Sequence, residues 1–261
     1  MSRLDPVFSA CRAESRAALI GYLPAGYPTV EGSKDVLRTM VASGCDLVEV
    51  GLPFSDPVMD GVTIQRAAEQ ALRGGFRVRD LFGVVESVSA AGGRAVVMTY
   101  WNPVLAYGVD RFARDLAAAG GLGVITPDLV PDEGAEWISA TDAHDLDRIF
   151  LVAPSSTEER ISLTARSSRG FLYATSVMGV TGARDVVSSA APALVKRVRE
   201  HTDMPIGVGL GVRNGAQAAE LAAFADGVIV GSAFVSAVQD GTVEALTVDL
   251  ASGVRQAAAA V

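Results

Sequence analysis

The chain has 261 residues, and the 49% that are hydrophobic are enough to bury one large core. Its formal net charge of −8 argues against a nucleic-acid-binding protein, because such proteins usually present a basic face. No window approaches a membrane-spanning length of apolar residues, and the N-terminus lacks an apolar signal segment, so we expect a cytoplasmic protein.

Two scarce residue types limit the chemistry. His144 and His201 are the only histidines, and both lie in polar surroundings near predicted helix ends, which disfavours a histidine triad or metal site. Lys34 and Lys196 are the only lysines, and both lie in amphipathic helical patterns rather than facing a pocket. We therefore expect no metal, and chemistry that depends on carboxylates, a phenol and backbone amides.

Short apolar runs alternate with longer helical patterns along the chain. We predict eight strands, at 18–23, 46–51, 94–100, 122–126, 148–153, 170–175, 205–210 and 226–231. Near-continuous apolar strands that alternate with helices indicate a parallel sheet covered on its outer face. Eight such units favour a single-domain (β/α)8 TIM barrel over residues 1–261, and an open doubly wound sheet is the alternative.

The stretch EVGLPFSDPVMDG follows the second strand, at the end where barrel enzymes carry their chemistry. Strand alternation predicts that Glu49 points into the barrel, where partial burial raises the pKa of a carboxyl and suits it to acid–base work. A strand-end carboxylate that reaches water is the alternative. Asp60 follows in a turn that folds back over the barrel mouth, although taken alone it is typical of a solvated turn residue.

The last two predicted strands end in glycine-rich loops. Gly207, Gly209 and Gly211 precede one helix, and Gly231 and Ser232 open another. Glycine lets the backbone approach an anion, helix N-termini offer free N–H groups, and barrel enzymes often bind phosphate at these two positions. The glycine spacing and its late position argue against a dinucleotide fingerprint.

Other predicted strand ends carry polar or flexible groups. The loop SVMGVTGARD after the sixth strand contains Gly182 and is long enough to close as a lid. Tyr100 follows the third strand and Asp128 the fourth. Tyr173, near the end of the sixth strand, either points into the pocket or is a core tyrosine with a satisfied hydroxyl.

Together these motifs resemble the tryptophan synthase alpha subunit family. The run LVEVGLPFSDPVMDGVTIQRA is the most specific, and MTYWNPVLAYG, PDLVPDE, GVTGAR and GSAFV follow in the family's order across essentially the whole chain. The resemblance implies a (β/α)8 barrel that cleaves indole-3-glycerol phosphate to indole and glyceraldehyde 3-phosphate by a retro-aldol reaction.

The resemblance also implies roles for matched residues. Glu49 would be the general acid/base, and Asp60 would accept a hydrogen bond from the indole N–H. Tyr22 and Tyr100 would form part of the indole-facing wall, and Tyr173 would line the pocket beside Glu49. The residues implied to hold the phosphate, mainly through backbone amides, are Gly182, Gly209, Gly211, Gly231 and Ser232. Thr181 would meet Asp60 when the sixth loop closes.

A partner is implied as well. The family pairs with a beta subunit in an alpha2beta2 complex, and the pyridoxal phosphate belongs to that partner, so no cofactor is expected in this chain. Pro53, Asp56 and Pro57 would lie in the loop that faces the partner. The chain departs from many relatives at Tyr27, where they carry an acid, and at Arg213, where some carry a serine.

Two other functions stay open at this point. One is another phosphate-binding barrel, such as a sugar-phosphate isomerase or epimerase, which shares the late glycines but does not explain Glu49 beside PFSDP. The other is a catalytically idle subunit that only activates a partner. The presence of both Glu49 and Asp60 argues against an idle subunit.

Overall fold

The computed structural model describes residues 2–175 and 190–256. Within these ranges a parallel sheet of nine strand segments forms the centre of the molecule. The segments are β1 (Ala18–Pro24), β2 (Leu47–Gly51), β3 (Ala95–Met98), β4 (Gly123–Ile125), β5 (Asp147–Ile149), β6 (Leu151–Val152), β7 (Leu172–Thr175), β8 (Ile206–Gly209) and β9 (Gly227–Val230).

The sheet is a barrel whose fifth strand is interrupted. Each segment pairs in parallel with its neighbours, and β9 returns to β1. At the remaining junction β5 pairs with β4, β6 pairs with β7, and only Phe150 separates the two segments. Segments β5 and β6 are thus two pieces of one strand, and the sheet closes into a barrel at this strand. The predicted eight-stranded barrel is confirmed. The third strand ends at Met98, two residues before its predicted end, and α5 begins at Trp101.

Helices cover the outside of this barrel. The described helices are α1 (Asp5–Ala13), α2 (Val30–Ala42), α3 (Val62–Arg73), α4 (Val78–Ala90), α5 (Trp101–Tyr107), α6 (Val109–Ala118), α7 (Ala135–Ala143), α8 (Glu158–Ser167), α9 (Ala190–Arg199), α10 (Gly215–Ala222), α11 (Ser232–Asp240) and α12 (Val243–Gln256), with a short 3-10 turn at Pro131–Glu133. None of these described helices is long and apolar enough to cross a membrane.

The barrel interior contains a separate apolar cluster. Its members include Ile20 of β1, Leu47 of β2 and Phe171 next to β7. Phe8 of helix α1 and Leu4, which directly precedes that helix, also belong to it. Side chains alternate between the two faces of a strand, so residues two positions beyond these inner residues also point inward, nearer the mouth. A second layer of inward-pointing side chains therefore lies above the apolar cluster, at the carboxyl ends of the strands.

Candidate active site

A cavity opens at the carboxyl ends of the strands, directly above the apolar interior. It measures about 930 Å³, counted with its open mouth. The residues that line it are Tyr22, Glu49, Met59, Asp60, Ile64, Met98, Pro127, Leu151, Tyr173, Thr175, Gly209, Leu210, Gly211, Ile229, Gly231 and Ser232. Eight of the predicted site residues therefore meet in one place.

Glu49 is the most deeply placed ionisable group of this cavity. It lies two residues beyond the inward-facing Leu47, and only 1% of its surface is exposed. Among the described residues, Oε1 of Glu49 has no hydrogen-bond partner. Burial raises the pKa of the Glu49 carboxyl to about 8, so the group carries its proton at neutral pH. The prediction from strand alternation that the Glu49 side chain points into the barrel is confirmed.

Two tyrosines flank this carboxyl. Tyr22 is the direct neighbour of Glu49 across β1 and β2, and Tyr173 enters from β7. A side chain at Gly51 would collide with the Tyr22 ring, and one at Gly209 would collide with the Tyr173 hydroxyl. Burial, with the two nearby carboxylates, raises the pKa of both phenols well above the usual value, so both stay protonated.

Asp60 reaches the cavity from the loop between β2 and α3. Its N–H donates to the carbonyl of Pro57 at 3.1 Å, and its carbonyl accepts from Gln65 Nε2 at 2.9 Å. Burial raises the pKa of the Asp60 carboxyl to about 6, and a hydrogen bond from the Tyr100 hydroxyl opposes that rise. Asp60 is therefore mostly ionised at neutral pH while Glu49 is protonated.

Tyr100 has a different place from the other two tyrosines. It is buried behind the second loop, where its hydroxyl oxygen accepts the N–H of Met59 at 3.0 Å. Its ring packs against Phe54 with centroids 5.3 Å apart. Tyr100 thus contacts the substrate cavity through Asp60 rather than as a lining residue.

Backbone N–H groups collect where β8 and β9 reach the cavity. Gly209 ends β8, and Gly211 follows with a φ of +69°, a conformation that favours glycine. Gly231 precedes α11 and Ser232 is its first residue, so the free N–H groups of that helix face this region. Of the described residues that line the cavity, none is cationic, so the backbone amides and this helix N-terminus are its positive end.

Several predicted residues lie elsewhere. Thr181 and Gly182 lie outside the described residues. Pro53 is buried within the chain, whereas Asp56 is exposed and Pro57 is half-buried. Of the three residues predicted to face a partner, only Asp56 and Pro57 therefore have side-chain surface available for a contact.

The two positions where the chain departs from many relatives also have definite places. Tyr27 is buried in the core beside β1, with 3% of its surface exposed. Arg213 lines a second, more open cavity, and Ser232 lines both this cavity and the main one.

Sequence reasoning did not name the apolar residues of the cavity. Met98, Leu151 and Ile229 are strand residues, and their inward direction follows from the same alternation that placed Glu49. Met59 comes from the second loop, where no periodic signal marks it, and Ile64 comes from the first turn of α3. Together they provide an apolar wall of the kind that suits a flat aromatic ligand.

Metal ligands are not clustered in the described parts of the chain. Residues 2–175 and 190–256 contain no group of three or more His, Cys, Asp or Glu side chains placed to hold a metal ion.

Fold and site together define a (β/α)8-barrel enzyme whose paired carboxyl groups occupy opposite protonation states at the barrel mouth. The family model described as the tryptophan synthase alpha chain matches residues 8–259. The chain belongs to the tryptophan synthase alpha chain family, and it is a carbon–carbon lyase of tryptophan biosynthesis. Neither an isomerase nor an idle subunit is supported.

Similar proteins match along almost the whole chain. A tryptophan synthase alpha chain from Nocardia farcinica is 70% identical over 261 residues, covering 99% of this chain and 98% of that protein. One from Mycobacterium avium is 67% identical over 262 residues, covering 99% and 97%. A chain of Mycobacterium tuberculosis tryptophan synthase, solved in space group F222, superposes with a TM-score of 0.95 at 65% identity, covering 97% of this chain and 98% of that chain.

Proposed function

We propose that the cavity cleaves indole-3-glycerol phosphate and that Glu49 moves both protons of the reaction. Protonated Glu49 gives its proton to C3 of the indole ring. The resulting carboxylate then accepts the proton of the adjacent glycerol hydroxyl while the carbon–carbon bond breaks. Indole and glyceraldehyde 3-phosphate leave, and Glu49 is protonated again, so the protons balance over one turnover.

One observation carries this assignment: a carboxyl oxygen of Glu49 is buried in the cavity with no hydrogen-bond partner among the described residues. Leaving a buried polar atom unpaired costs about 1–3 kcal/mol, so a structural glutamate would be expected to have a partner. A group that must exchange protons with a substrate needs that position open. The raised pKa of about 8 supports the acid form as the starting state.

Asp60 has the complementary role in this proposal. Protonation of C3 places positive charge on the ring nitrogen, and an ionised carboxylate that accepts the indole N–H offsets that charge. The Tyr100 hydrogen bond favours the ionised form of Asp60. Tyr22 and Tyr173 complete the wall around the ring and shield Glu49 from water.

The phosphate lies at the glycine-lined side in this proposal. Backbone N–H groups of Gly209, Gly211, Gly231 and Ser232 hold it in this proposal, together with Gly182. The N-terminus of α11 favours an anion there.

A beta subunit binds at the barrel mouth in our proposal, in an alpha2beta2 complex that receives the indole. Four exposed apolar side chains support this position: Val58 and Val62 after β2, Leu105 after β3 and Val130 after β4. Asp56 and Pro57 belong to the same rim. Pyridoxal phosphate is assigned to the partner, this chain works with its own side chains and backbone, and the complex is cytoplasmic.

Indole release from indole-3-glycerol phosphate tests the proposal, measured on the full chain with and without a beta subunit. Glu49→Gln keeps the shape of the side chain but cannot exchange a proton, so we expect turnover to fall by about 10²–10⁴-fold. Glu86→Gln, on the exposed face of α4, is the matched control and should retain activity. Wild-type turnover in Glu49→Gln would remove Glu49 from the mechanism.

A further inference from the structure

Asp128 makes an unusual connection between two neighbouring loops. It follows β4, and both of its carboxylate oxygens accept the backbone N–H of Trp101, at 2.9 and 3.1 Å. Trp101 is the first residue of α5, whose own N-cap residue, Tyr100, provides no side-chain cap. Asp128 therefore caps α5 from the adjacent loop, where a negative charge also suits the helix N-terminus.

The residue that precedes this cap is held from several directions. The N–H of Thr99 donates to the carbonyl of Ile125 at 3.0 Å, and the Thr99 hydroxyl donates to the carbonyl of Tyr100 at 2.9 Å. With the Asp128 bond on its other side, the Tyr100 backbone is anchored between β4 and α5. These hydrogen bonds fix the backbone position from which the Tyr100 side chain extends.

That ring reaches across to the second loop. The Tyr100 hydroxyl accepts the Met59 N–H at 3.0 Å, and it lies close enough to the carboxyl of Asp60, the next residue along the chain, to lower the pKa of that carboxyl. The ring also packs on Phe54. A displacement of Tyr100 would therefore release both the backbone and the carboxylate at the place where Asp60 enters the cavity.

We propose that Asp128 is a positioning residue for Asp60, which acts through the N-terminus of α5 and the Tyr100 hydroxyl. Asp128 does not line the cavity, so it contacts neither the substrate nor the reacting atoms. Its effect on the reaction rests on the proposed role of Asp60. A small error in the place of a group at the reaction centre is sufficient for a large loss of rate, about 10²-fold for 1 Å.

Three variants test this connection in the complex with a beta subunit. Asp128→Ala should lower kcat for indole release by roughly 10- to 100-fold, with a smaller change in KM. Asp128→Asn retains one acceptor oxygen and should recover most of the rate. The control is Asp132→Ala in the same loop, whose carboxylate pairs with Arg160, and it should behave as wild type.

Two further readouts separate positioning from a merely structural role. The Tyr100 hydroxyl lowers the pKa of the Asp60 carboxyl, so losing this interaction should move the acid limb of the pH–rate profile to higher pH in Asp128→Ala and in Tyr100→Phe. The double variant should shift no further than either single one, because both act on one path. Faster hydrogen exchange at the Met59 amide of Asp128→Ala should accompany the shift.

Wild-type kcat and an unchanged acid limb in Asp128→Ala would overturn the inference, as would additive shifts in the double variant. Should Asp128→Ala fail to fold, Asp128→Asn and Tyr100→Phe carry the same comparison. Asp60→Asn distinguishes the proposed role of Asp60 from the positioning role of Asp128. If it retains full activity, the role of Asp60 is wrong, whereas an inactive Asp60→Asn beside a normal Asp128→Ala removes the positioning role alone.

Discussion

Tyr22 and Glu49 are direct neighbours across β1 and β2, and both side chains enter the barrel mouth above the same apolar layer. The phenol closes one side of the space around the carboxyl, and the Gly51 position leaves room for its ring. Burial of this kind penalises the charged form of the carboxyl. The pairing therefore relates strand register directly to the protonation state on which the proposed chemistry depends.

The rate of indole release should have a bell-shaped dependence on pH. Asp60 must be ionised, so kcat/KM should fall as the pH drops through about 6. Glu49 must be protonated, so kcat/KM should fall as the pH rises through about 8. The measurement is kcat/KM between pH 5 and pH 9 at constant ionic strength, and a flat profile across both limbs would contradict the assigned protonation states.

The stability of the protein should also depend on Glu49. Its folded-state pKa is raised, so its contribution is fully present below the unfolded pKa of about 4.3 and is lost as the pH rises through about 8. Glu49→Gln does not titrate and should therefore become more stable than wild type as the pH rises through this window. Chemical unfolding at pH 5 and pH 8.5 measures the difference, and Glu86→Gln should show no such trend.

Phosphate binding should be sensitive to charge at the start of α11. Ser232→Asp places a carboxylate beside the proposed phosphate position, and we expect KM for indole-3-glycerol phosphate to rise by more than about tenfold, the equivalent of 1.4 kcal/mol. Binding of indole alone should change little. Ser236→Asp lies one turn further along α11 with an exposed side chain and serves as the control. Equal effects of the two variants would argue against a phosphate at the helix N-terminus.

The apolar rim should determine affinity for the beta subunit. Val58 is 74% exposed in the second loop, and burying such a side chain in an interface is worth about 1.5–3 kcal/mol. Val58→Asp should therefore weaken the complex by more than about tenfold in a calorimetric titration. Val248→Asp is matched, since Val248 is a valine 54% exposed on α12. Unchanged affinity in Val58→Asp would place the partner elsewhere.

Agreement between prediction and structure was best where a regular pattern repeats. The eight strands, the inward direction of Glu49 and the helix that begins at Ser232 all follow from alternation and from the order of apolar and polar segments. The interruption at Phe150 was not predicted, because residues 149–153 of the predicted strand form one continuous apolar run in the sequence. The run is divided only by its pairing in the folded sheet, where β5 pairs with β4 and β6 pairs with β7.

Local sequence was sufficient for the barrel, for the strand carboxyl and for the glycine loops, since each depends on residues close together in the chain. It did not determine that Tyr100 bonds the second loop or that Asp128 caps α5, because those contacts join residues about 27 to 41 positions apart. Nor did it determine that Glu49 lacks a hydrogen-bond partner among the described residues. Such features depend on how loops from adjacent strands pack over the barrel mouth, and the closed tertiary structure alone sets that packing.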